Sequence, residues 1–193
     1  MIDIQDQEKI DKLTDIVQRH INCIDDYEQI KATCPKRLLS RGVDIYGMYF
    51  PEKELEKYFK YCGKPTKKED KKHYAYYFDD QERLRLTERY VTDGTLGNLI
   101  FYYYYDNLIE IVWYCCRRKM VHQVGFIQYK DNVLSKFTES VDIATRLIKG
   151  ENIDAYIEHS FDEDDDFVLY RSYSLKLSKD GTPWIIESKM RKH

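Results

Sequence analysis

Apolar residues recur every three or four positions over residues 5 to about 31, at Ile10, Leu13, Val17, Ile21, Ile24 and Tyr27, with acids and bases between them. This spacing gathers one apolar stripe and predicts a long amphipathic helix or two short ones. Pro35 should end it, because proline lacks an amide donor and disfavours helix in the preceding Cys34. Val43, Ile45 and residues 48–50 then read as a short extended piece. Pro51, Glu52 and Glu54 mark a further helix start, with proline at the first helical position and acids near the positive end of the dipole. Leu55, Tyr58, Phe59 and Cys62 form its stripe and Gly63 its stop. Residues 64–72 are charged and aperiodic, and predict a mobile linker between a helical part (about 5–63) and a β-rich part (73–193).

Beyond the linker the period shortens to two. Tyr74, Tyr76 and Phe78 alternate, a turn falls at Asp79, Asp80 and Gln81, and Leu84, Leu86 and Tyr90 then oppose Arg83, Arg85, Thr87 and Arg89. That hairpin should have one wet face. Residues 101–105 and 108–114, joined by Asp106 and Asn107, are apolar or aromatic on both faces, which predicts central strands covered on both sides. A third hairpin is predicted over 125–129 and 133–137, turning at 130–132. Thr138, Glu139 and Ser140 can cap a helix with the stripe Val141, Ala144, Leu147 and Ile148, ended by Gly150, with Ile153, Tyr156 and Ile157 adding further turns. Two strands, over 167–177 and 184–190, close the chain through Asp180 and Gly181. The expected fold is α+β: a single domain over residues 1–193 in which a twisted antiparallel β-meander sheet packs against N-terminal helices and one inserted helix.

Composition narrows the class. The chain has 193 residues, 42% hydrophobic and 34% charged, a balance suited to a folded globule. A net charge of -3 provides no global positive field, so nucleic acid is disfavoured as a partner. No apolar run approaches the ~20 residues of a membrane span, and the first residues lack the pattern of a secretory signal, so a cytoplasmic chain is expected. Five scattered cysteines, Cys23, Cys34, Cys62, Cys115 and Cys116, read as reduced thiols; the adjacent Cys115 and Cys116 should point to opposite faces of a strand, one buried and one half-exposed.

A search for chemistry yields no strained nucleophile turn, no glycine-rich phosphate loop and no paired zinc ligands. His20, His73, His122, His159 and His193 are dispersed, with His122 and His159 the ones folding could bring to an acid. No catalytic residue, cofactor or metal is expected, and the balance leans away from an enzyme. Asp162, Glu163, Asp164, Asp165 and Asp166 lack the ligand alternation and glycine of a calcium loop, and suit attraction of a basic partner instead. Arg83 and Arg85 are the other candidate partner-binding residues. Eighteen tyrosines either fill a strand-rich core or make an amphipathic binding face. Exposed arginines with aromatics would also suit RNA.

The closing segment 173–190, with its Asp180-Gly181 turn and Trp184, Ile185 and Ile186, resembles the final hairpin of NTF2-like (cystatin-like) domains. That resemblance implies a small-molecule pocket between sheet and helices, lined here by tyrosines such as Tyr103 and Tyr105, in a carrier or enzyme. The whole chain, acidic, aromatic-rich and without a catalytic motif, is also similar in character to small bacterial toxin-immunity proteins. This second resemblance implies a non-enzymatic intracellular protein-binding protein whose partner is another protein, a basic toxin domain.

Overall fold

The computed structural model describes residues 4–42, 64–130, 133–140, 156–163, 167–174 and 184–191. Eleven strands and two helices lie among them, and strands dominate a mixed α and β architecture. Chain contacts divide it into two compact units. One comprises Met1–Ile21, Tyr103–Val112 and Met120–Lys192; the other comprises Asn22–Tyr102 and Trp113–Lys119, with His193.

In the first unit, α1 (Ile4–His20) buries Ile10, Leu13 and Val17 of the expected stripe, together with Ile16. The helix lies against β7 (Met120–Lys130) and β8 (Val133–Ser140). β8 pairs antiparallel with β7 and with β9 (Tyr156–Glu163), and β10 (Phe167–Ser174) pairs with β9 and β11 (Trp184–Arg191). The order β7-β8-β9-β10-β11 is an antiparallel meander that includes one strand, β9, not expected from the sequence. Ion pairs from Lys9 to Glu158 and from Lys136 to Glu158, with Lys9 also donating to the Tyr156 hydroxyl, tie α1, β8 and β9.

One expectation changes here. Tyr156 and Ile157 belong to β9 rather than to extra helical turns, because this segment finds backbone partners on both β8 and β10. Thr138, Glu139 and Ser140 end β8, with the Ser140 hydroxyl donating to the Val124 carbonyl. The predicted helix over 141–150 lies outside the described residues, as does the Asp180-Gly181 turn.

In the second unit, α2 (Tyr27–Thr33) follows a single 3-10 turn, Cys23–Asp26. Of the two helical readings of residues 5–31, the divided one is correct. Ile21 falls in the break and is 53% exposed, whereas Cys23 and Ile30 are buried. Cys34 is extended, at φ -95° and ψ 104°, as Pro35 after it requires. The strand order is β2-β1-β3-β4-β5, for β1 (Lys36–Arg41), β2 (Lys64–Thr66), β3 (Tyr74–Phe78), β4 (Leu84–Tyr90) and β5 (Leu96–Tyr105), with all printed pairs antiparallel. β1 lies between β2 and β3 and was not foreseen; Val43, Ile45 and the helix predicted over 51–63 lie outside the described residues. The linker reading of 64–72 is also revised. Lys64, Pro65 and Thr66 pair with Arg41, Ser40 and Leu39, since backbone pairing needs no apolar side chains.

The expectation that the central strands are covered on both faces holds for β6 (Leu108–Cys115) and for part of β5; Tyr103 and Tyr104 are half-buried and Tyr105 is exposed. Leu99, Ile100, Phe101 and Tyr102 of β5 are consecutive and buried, and so are residues 109–114 of β6. Cys115 and Cys116 are both half-buried, the second lying just beyond β6, so the expected contrast between them is absent. β4 does not present a simple wet face either: Arg89 is exposed, but Thr87 and Glu88 are buried.

The β7–β8 pair makes a close approach testable within the first unit. A methyl group on Gly125 would sit 2.8 Å from the Thr138 carbonyl oxygen and 2.9 Å from Phe137 Cε2, closer than backbone and a packed ring tolerate. Gly125→Ala should therefore destabilise the protein by about 1–3 kcal/mol. Urea denaturation checks this, and a change within about 0.5 kcal/mol, the range of an indifferent surface substitution, would contradict the packing.

Candidate functional site

The predicted partner-binding arginines sit around a tight turn between β3 and β4. The Asp79 carboxylate accepts from the Gln81 amide at 3.1 Å and the Arg83 amide at 2.9 Å, closing the turn locally, while Glu82 takes φ 58°. Its Oδ2 also accepts from Arg83 Nε at 2.9 Å and pairs with Arg83 Nη2 at 2.8 Å and Arg85 Nη1 at 3.5 Å. Arg85 Nε donates to the Tyr102 carbonyl as well. Burial acts to raise the Asp79 carboxyl, but these donors outweigh it and hold it below the ordinary aspartate value. Both arginines thus serve the turn.

The acidic run falls in the other unit. Asp162 and Glu163 are the last residues of β9, in register with Leu169 and Val168 of β10, while Asp164, Asp165 and Asp166 lie outside the described residues. Sequence-predicted site residues are therefore divided between the two units.

Two buried carboxylates missed by sequence reasoning organise the most concentrated chemistry. Glu88, on the face of β4 that carries Leu84 and Leu86, is 1% exposed. Its Oε1 accepts from the Tyr27 hydroxyl at 2.5 Å and pairs with Lys31 Nζ at 3.1 Å. Its Oε2 accepts from the Tyr90 hydroxyl at 2.6 Å and the Tyr77 hydroxyl at 2.9 Å. Burial alone would raise the Glu88 carboxyl, yet the three phenols and Lys31 hold it below 4.5. Burial and then the Glu88 charge push the Tyr27 and Tyr90 phenols up, and Tyr77 to about 12.

Glu110, on β6 in the first unit, is 2% exposed and is paired with the last two residues of α1. Arg19 Nη2 bonds Oε1, and His20 Nε2 lies 2.8 Å from Oε2. The His20 ring stacks on Tyr103, centroids 3.8 Å apart and planes at 18°. Burial, which raises the Glu110 carboxyl, is overcome by His20 and Arg19, and the group stays below its ordinary value. Among the described residues His20 is a histidine that meets an acid, and the signal available in sequence was its place beside Arg19 in the last helical turn. Tyr103, proposed to line a pocket, is occupied by this stack, while Tyr105 is 49% exposed.

Among the described residues, no three histidine, cysteine, aspartate or glutamate side chains converge in a group able to hold a metal ion, and no helix is long and apolar enough to cross a membrane. No protein-family model, curated protein or solved structure matches the chain.

Both carboxylates link stability to pH. Their folded pKa values lie below the ordinary 4.5, so their contribution is complete above that value and is lost as pH falls through the lower folded value. Glu88→Gln should cost about 1–3 kcal/mol at neutral pH, the cost of donors left without a carboxylate in a buried site. The variant's stability should also fall less steeply than the wild type's on acidification below pH 4.5. Denaturation midpoints collected across pH check both statements, and parallel curves for the two proteins would refute the linkage.

Proposed function

We propose that this chain is a non-enzymatic protein-binding protein that engages a basic partner through its acidic run, acting as an immunity protein against a cognate bacterial toxin domain. The observation that carries this reading is the antiparallel pairing of β9 with β10, in which Asp162 and Glu163 end β9 opposite Leu169 and Val168, with Asp164, Asp165 and Asp166 following in sequence before β10. Five consecutive acids, two ending β9 and three following it in sequence before β10, give a dense local negative charge, the kind that speeds encounter with a basic surface. Neutralisation of a toxin by surface complementarity requires a rigid scaffold and no chemistry.

Affinity capture from cells of the source organism should recover one basic toxin domain encoded beside this chain. With that domain in hand, Asp164→Asn, Asp165→Asn and Asp166→Asn combined should slow association about tenfold at low salt and flatten its ionic-strength dependence. Stopped-flow mixing across a salt series reads this directly. An association rate unchanged by the triple substitution would remove the acidic run from recognition.

A further inference from the structure

The side chains around Glu88 form more than a satisfied carboxylate. Three tyrosines, Tyr27 from α2, Tyr77 from β3 and Tyr90 from the end of β4, direct their hydroxyls onto one buried anion. Each ring also has a cation over it. Lys31 Nζ lies 4.6 Å from the Tyr27 ring centroid and 5.6 Å from that of Tyr77, Arg37 lies 5.4 Å from Tyr77, and Lys72 lies 4.7 Å from Tyr90. A phenol that donates to a carboxylate carries more electron density in its ring, which strengthens attraction for a cation over the face. Aromatic rings around a carboxylate are the chemistry that recognises organic ammonium groups, the rings meeting the diffuse charge and the anion fixing its position.

We propose that Tyr27, Tyr77, Tyr90 and Glu88 form a binding site for an organic ammonium group, and that Lys31 is its built-in plug. Lys31 occupies the site as a ligand would, with its ammonium 3.1 Å from Glu88 Oε1 and 3.0 Å from the Tyr27 hydroxyl. Its side chain is nevertheless 29% exposed, whereas that of Glu88 is 1% exposed, so the lysine enters from the solvent side and can swing back out. The ligand is a choline-like small molecule or a methylated lysine side chain of a protein, both presenting the same head group. An incoming ammonium must first displace Lys31, so the intact protein binds at an affinity reduced by the fraction of time that the plug is out.

The test uses the full chain bearing Lys31→Ala, with its circular dichroism spectrum and melting transition compared with wild type. Choline and a trimethyllysine peptide are titrated separately, and the ammonium methyl resonances are followed by proton NMR. Expected are a saturable upfield shift for at least one of them, about tenfold tighter in the variant than in wild type, and binding at least about tenfold weaker for 3,3-dimethylbutanol, the neutral isostere of choline. The stronger of the two ligands identifies the source of the head group. Lys31→Gln, which retains a donor for Glu88, carries the same titrations should the alanine variant unfold. A folded variant with no saturable shift from either ammonium, or one that binds the isostere equally well, would overturn the proposal.

Discussion

A carboxylate taken out of water must be met by donors, and in each unit of this chain that requirement decides which side chains are held. Glu88 draws donors from three separate stretches, α2, β3 and the end of β4, so one residue sets the position of the short helix over its strands. α2 has only seven residues and buries Ile30 alone, too little apolar surface to fix its rotation. Tyr27 and Lys31 are one turn apart and lie on the same side, so both can reach the same anion. In the first unit Glu110 does the corresponding work at the other end of a long helix, taking Arg19 and His20 where α1 stops. There the two bases also complement the negative end of the helix dipole.

The period-two segments were legible because alternation and turn residues act locally. β3, β4, residues 101–105 of β5, β6, residues 125–129 of β7 with the start of β8, and the closing strands fall where alternation, apolar runs and the turn residues between them suggest. β1 was illegible for a physical reason. Its sequence Lys-Arg-Leu-Leu-Ser-Arg is half basic, and it is a strand because β3 and β2 offer backbone partners on both sides. β9 was read as helix from Ile153, Tyr156 and Ile157, whose spacing fits either structure, and sheet pairing decides it.

The candidate sites were harder to read than the elements. A glutamate between Leu86 and Tyr90 looks like an ordinary charged residue of a half-solvated strand, and becomes a buried hub only once α2 brings Tyr27 and Lys31 over it. His20 and Glu110 are far apart in sequence, so no local pattern joins them. The arginines of the β3–β4 turn are visible in the sequence as a stripe, but their pairing with Asp79 is not. Much of the tyrosine content follows from the same physics, since a phenol fills apolar space with its ring and supplies the donor that a buried oxygen needs, as Tyr77 does for Glu88 at 2.9 Å.

β2 ends the strand order of its unit, and its three residues are lysine, proline and threonine. Pro65 has no amide hydrogen to offer a further strand. Lys64, already opposite Arg41, would place a third positive charge beside any basic newcomer. A chain this rich in tyrosine and β-branched residues has the composition from which sheets grow by accretion. At this border growth is refused, so protection against aggregation is written into the shortest strand of the unit, the one with the least to contribute to its core.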